Sequence, residues 1–79
     1  MNLKTSQIYK FVINFKSSKE QNIAYYRFLG IRTDKLYQFE LISHNNVYKY
    51  WNQSMNIFFE NLCFYNISEL TDEDKVELL

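Results

Sequence analysis

The chain has no proline, one glycine, one cysteine and one histidine among its 79 residues, and each shortage removes a class of function. A lone cysteine, Cys63, cannot form an internal disulfide framework. One cysteine and one histidine fall short of the four ligands of a structural zinc site. Gly30 by itself cannot build a glycine-rich phosphate loop or a dinucleotide turn. His44 lies in Ser43-His44-Asn45-Asn46, where it reads as a solvated loop residue rather than a general base. Cys63 stands between Leu62 and Phe64; apolar surroundings raise a thiol's pKa, so it reads as a packed structural cysteine and not a nucleophile. Asp72-Glu73-Asp74 lacks the alternating spacing, the glycine and the distant glutamate of a calcium loop. A carboxylate-pair glycosidase would need a sugar site as well as a core, a heavy demand on so short a chain. The expectation is a protein that is not an enzyme, with no metal and no cofactor.

Long apolar runs are missing too. The longest, residues 23–26 and 62–65, have four members, against the ~20 needed to span a membrane as a helix. Residues 1–6 are polar, with no apolar signal core behind them. The N-x-S triplets at Asn52 and Asn66 then read as chance, and a reducing, cytoplasmic setting is expected.

What the chain does have is aromatic bulk: seven Phe, seven Tyr and one Trp. A single domain over residues 1–79 buries only about 60% of its surface on folding, so its core must be rich. Rings that bury roughly 150–250 Å² each can make it so. They also exceed what one small core hides, which places some at the surface or in an interface.

The net charge of zero conceals a polarised molecule. Residues 1–50 carry eight basic and three acidic side chains, a balance of +5; residues 51–79 carry one basic and six acidic, a balance of −5. Such a distribution steers charged partners by orientation.

Residues 7–16 alternate, with Tyr9, Phe11, Ile13 and Phe15 on one side, and predict a half-buried strand. Ser17…Glu20 and Ser18…Gln21 both fit a capping box, and Gly30 sits where a left-handed residue ends a helix. These two ends predict a helix over residues 18–29, although its interior is rich in β-formers. Residues 32–35 form a turn, and residues 36–43 alternate as a second strand. An Asn-rich connection then predicts a hairpin to a strand over residues 47–52. Residues 55–67 fit helix and strand templates alike; composition favours a strand with a bulge or turn near Glu60-Asn61. Thr71, followed by Asp72, Glu73 and Asp74, announces a C-terminal helix that is too short to stand alone.

The expected fold is therefore α+β: a small, mostly antiparallel sheet of three or four strands, a helix after the first strand and a short C-terminal helix. The alternative is an all-β meander or small barrel with a C-terminal helix. The expected core is Phe11, Ile13, Phe15, Ile23, Phe39, Leu41, Val47, Phe59 and Leu62.

Two constellations point to protein partners. Tyr48, Lys49, Tyr50 and Trp51 on a strand would send one side inward and display the other, and Tyr and Trp dominate binding energies. The same residues would serve equally as sheet packing. Asp72, Glu73 and Asp74 could dock on a basic surface, or simply lie against the molecule's own basic half. A third set, Lys10, Lys16, Lys19, Arg27, Arg32 and Lys49, could follow phosphates beside stacking aromatics. The zero net charge and scarcity of Arg argue against a dedicated nucleic-acid binder.

In composition alone, the chain resembles the small accessory proteins of phages and other mobile elements: Asn, Lys, Ile, Tyr and Phe supply 37 of its 79 residues. Many such proteins are inhibitors or immunity proteins, and the resemblance assigns no residue a role. The leading expectation is a non-catalytic protein-binding module that occludes a charged partner's surface in the host cytoplasm. Nucleic-acid binding is the alternative, and a homodimer or other homo-oligomeric structural subunit the third reading.

Overall fold

Alternation governs the first strand as expected. In the computed structural model, which describes residues 2–13, 22–45 and 51–78, β1 (Ile8–Ile13) buries Tyr9 and Phe11 on one face and turns Lys10 to the other. The expected helix over residues 18–29 is not formed in its described part. Residues 22–29 belong instead to β2 (Asn22–Arg32), the longest strand, paired antiparallel with β1 on one side and β3 (Leu36–His44) on the other. The β-forming interior prevails because a central strand satisfies its backbone on both edges. Asn22, Ala24, Tyr26 and Phe28 line one buried face of it.

Gly30 does occupy a backbone region that favours glycine, with φ +124°. The reason is a bulge, not a helix end: the β2–β3 register gains one residue on β2 between Phe28 and Gly30. A second irregularity, between Tyr25 and Tyr26, adds one residue on β3.

The turn at Thr33–Lys35 is a 3-10 turn, and β3 follows with Phe39 buried and Tyr37 and Leu41 half-buried beside it. Of the strand expected over residues 47–52, residues 47–50 lie outside the described residues, and Trp51 and Asn52 are not in a strand. The partner of β3 is β4 (Ser54–Phe58). The strand expected over residues 55–67 ends at Phe58, and a 3-10 segment (Phe59–Tyr65) succeeds it, stopped by Asn66 in left-handed conformation. A two-residue strand β5 (Ser68–Glu69) pairs with β1, and α1 (Asp72–Leu78) is the last described element.

The result is an open five-stranded antiparallel sheet in the order β4-β3-β2-β1-β5. It is mostly β with small helices, nearer the meander alternative than the α+β arrangement, and it is not a barrel. One face carries an aromatic core. Phe11 lies at its centre, 4.8 Å from Tyr26, 5.0 Å from Phe39 and 5.8 Å from Tyr65, ring centre to ring centre. Ala24, Phe28, Trp51, Ile57 and Ile67 close around them.

Of the expected core, Phe11 and Phe39 are fully buried, while Ile13, Leu41 and Leu62 pack at its margin. Phe15 and Val47 lie outside the described residues. Ile23 is a correction: strand alternation turns it, with Tyr25, to the opposite face. Phe59 is another, because it remains half exposed.

The opposite face is covered in part by α1. Thr71 caps this helix reciprocally with Asp74. The Thr71 Oγ1 accepts from the Asp74 N–H at 3.2 Å, and Asp74 Oδ2 accepts from the Thr71 N–H at 3.0 Å and from its hydroxyl at 2.9 Å.

Candidate protein-docking surface

A 3-10 coil repeats every three residues, so Phe59, Leu62 and Tyr65 share a side. Leu62 and Tyr65 pack onto the core. Phe59 reaches Tyr37, with ring centres 5.8 Å apart, yet keeps 51% of its surface exposed. Phe64, on another side of the coil, is 71% exposed.

Phe59 separates two apolar depressions. One, of about 520 Å³, is lined by Phe59, Leu62, Cys63 and Ile67, with Glu60 and Asn66 as its polar members. The other, of about 300 Å³, is lined by Ile31, Tyr37, Phe59 and Lys35. Ile31 is itself 58% exposed. The aromatic stack behind them is firm: Tyr37 lies against Phe28 at 5.5 Å, and Phe28 against Phe39 at 5.3 Å. An exposed ring between two apolar hollows, with a cation on one side and a carboxylate on the other, is suited to receiving apolar side chains of another protein.

The residues singled out in the sequence are dispersed. Trp51 is buried against Tyr26, at 5.9 Å, so it is a core residue and not a displayed one. Tyr48, Lys49, Tyr50, Lys16 and Lys19 lie outside the described residues. Asp72 and Glu73 are exposed on α1, beside the exposed Val76 and Glu77. Asp74 is buried. Its carboxylate accepts from the Tyr25 hydroxyl at 3.0 Å and from the Lys10 ammonium at 3.3 Å, besides Thr71. The Thr71 backbone N–H does most to hold this carboxyl down, to about 2, against the opposing effect of burial; the Thr71 hydroxyl, Tyr25 and Lys10 add to it. Burial first, then the Asp74 carboxylate, pushes the Tyr25 phenol up to about 12. Asp74 therefore docks α1 on its own sheet, and the carboxylates that α1 leaves exposed are Asp72, Glu73 and Glu77. Lys10 is engaged in the same contact. Arg27 and Arg32 are exposed, Arg27 in register with Glu40.

Cys63 is a correction: it is exposed, because the 3-10 coil turns Leu62 rather than Cys63 inward. His44 ends β3 instead of sitting in a free loop. Among the described residues, no group of three His, Cys, Asp or Glu side chains is placed to hold a metal ion, and no helix is long and apolar enough to cross a membrane.

The Phe59 surface is not legible from strand or α-helix periodicity, because neither a period of 2 nor one of 3.6 lines up Phe59, Leu62 and Tyr65 on one side. Its signal is the three-residue spacing of Phe59, Leu62 and Tyr65. Comparison with protein-family models, with curated proteins and with solved structures finds no match to this chain.

Proposed function

We propose that this chain is a non-catalytic protein-binding module. It covers a functional surface of a partner protein, in the manner of an inhibitor, antagonist or immunity-type accessory protein of a phage or mobile element. One observation carries the reading: Phe59 stays half exposed between two apolar depressions although an aromatic core lies directly behind it. Aromatic anchors of this kind supply most of the binding energy at protein interfaces. The exposed carboxylates Asp72, Glu73 and Glu77 lie with α1 on the other face of the sheet and form a separate acidic surface, suited to basic groups. An exposed free thiol, Cys63, suits a reducing host cytoplasm.

Nucleic-acid binding has less behind it. Lys10 is already neutralised by Asp74, and Arg27 stands opposite Glu40 in the ladder. The test is quantitative capture of partners from the cell of origin by the parent chain and by Phe59→Ser and Phe64→Ser. Retained folding with loss of one specific partner supports the reading. Capture that is unchanged by both variants, or retention of RNA or DNA with affinity falling steeply in salt, refutes it.

A further inference from the structure

The outer edge of β4 is open among the described residues, since β4 pairs with β3 alone and ends the sheet. Exposed edges of this kind are ordinarily blunted by charge, proline or a bulge, because their free N–H and C=O groups invite another strand. The β4 edge has none of these. Residues 52–59 contain no charged residue and no proline, and the β3–β4 register runs without a shift from Glu40↔Ser54 to Leu36↔Phe58. We propose that a second copy of this chain pairs here, β4 against β4 and antiparallel, about a two-fold axis through Asn56.

The ladder dictates that register. The Leu41 N–H donates to the Gln53 carbonyl at 2.8 Å, which makes Leu41 and Gln53 a hydrogen-bonded pair. Bonded and non-bonded pairs alternate in an antiparallel ladder. Met55 and Ile57 therefore turn their backbone groups toward β3, and Ser54, Asn56 and Phe58 turn theirs outward. A two-fold axis at Asn56 matches the outward set with itself: Asn56 exchanges bonds with Asn56 of the second copy, and Ser54 with its Phe58. The same operation sets Met55 opposite Ile57 on the core face, so the apolar layer continues across the join.

A second copy is favoured over an extended segment of another protein on two grounds. Its strand is already ordered, so association does not bear the cost of ordering a free peptide. The uncharged edge also brings no like charges together when it meets itself. The outward-bonding residues Ser54, Asn56 and Phe58 line neither depression beside Phe59, and the inference does not rest on what those depressions bind.

Sedimentation equilibrium at rising concentration, read together with amide hydrogen exchange, tests the pairing. A dimer is expected at high micromolar protein. Its formation slows exchange at Ser54, Asn56 and Phe58, whereas Met55 and Ile57 are slow at every concentration. Asn56→Lys, at an exposed position, places two ammonium groups at the axis and weakens the dimer by roughly tenfold or more. If that variant fails to fold, the exchange pattern of the parent chain decides alone. A monomer at high micromolar concentration overturns the proposal. So does a dimer that leaves exchange at Ser54, Asn56 and Phe58 unchanged, because it joins elsewhere.

Discussion

Lys10 Nζ stands 3.3 Å from Asp74 Oδ1, although 64 positions separate the two residues in the chain. This contact joins a cation of the basic half, residues 1–50, to a carboxylate of the acidic half, residues 51–79. The ion pair is the smaller part of the latch, since Lys10 is a quarter exposed and pairs of that kind contribute about 0–1 kcal/mol. The larger part is the buried carboxylate, which also accepts from Tyr25 and from Thr71.

Removing the charge at Asp74 should therefore cost more than removing it at Lys10. Asp74→Asn is expected to lower unfolding free energy by about 1–3 kcal/mol, because it disturbs several charge-assisted bonds at once. Lys10→Met should cost less than about 1 kcal/mol. Asp72→Asn, on the exposed side of the helix, should change stability little. Urea unfolding of the three variants checks the order; a larger loss at Lys10 than at Asp74 would contradict it.

Acid should undo the same latch. The Asp74 carboxyl is held at about 2, below its ordinary 3.8, so its contribution is complete above pH 3.8 and is lost as pH falls toward 2. Tyr25 works in the opposite direction. Its phenol is raised from 10.0 to about 12, so its contribution is complete below pH 10 and is lost as pH rises through 12. Tyr26 is also raised to about 12, by burial first and then by Tyr65. A tyrosinate absorbance titration should show a late-ionising group of tyrosines that Tyr25→Phe and Tyr26→Phe each diminish. Simple titration of every tyrosine near pH 10 would argue that neither phenol is buried.

Phe11→Ala should be the most damaging of these substitutions, at about 3–5 kcal/mol, because it opens a cavity between Tyr26, Phe39 and Tyr65. Tyr26→Phe removes only the 2.7 Å bond from its hydroxyl to the Asn52 carbonyl and should cost about 1 kcal/mol. Thermal melts of both variants test the ranking.

Gly30→Ala should destabilise by about 1 kcal/mol or more through backbone strain alone. An added Cβ would meet nothing closer than Thr5 Oγ1 at 4.0 Å, so crowding is not the cause. A melt unchanged from the parent would mean that the bulge relaxes without cost.

These contrasts show which sequence signals were decisive. Strands β1 and β3 and helix α1 were legible because one physical cause produces each pattern: alternation in the strands, and Thr71 with its carboxylates in the helix. The second strand was not legible, because a glycine with positive φ ends a helix and permits a bulge equally well. Its own composition, from Ile23 to Leu29, carried the correct answer. The Phe59 surface was hidden for a different reason. A 3-10 coil places every third residue on one side, so alternation grouped Phe59 with residues that a strand would have buried. Trp51 shows the limit of composition: its ring could have served an interface or a core, and only its position against Tyr26 distinguishes them.

The most direct measurement places a photo-crosslinking amino acid at Phe59, at Phe64 and, for comparison, at the exposed Leu29 and Ile42, in cells that produce the partner. The account predicts one specific protein adduct from positions 59 and 64, little from 29 and 42, and roughly tenfold or greater loss of that partner's affinity in Phe59→Ser. Equal labelling from all four positions, or an affinity indifferent to Phe59, would contradict it.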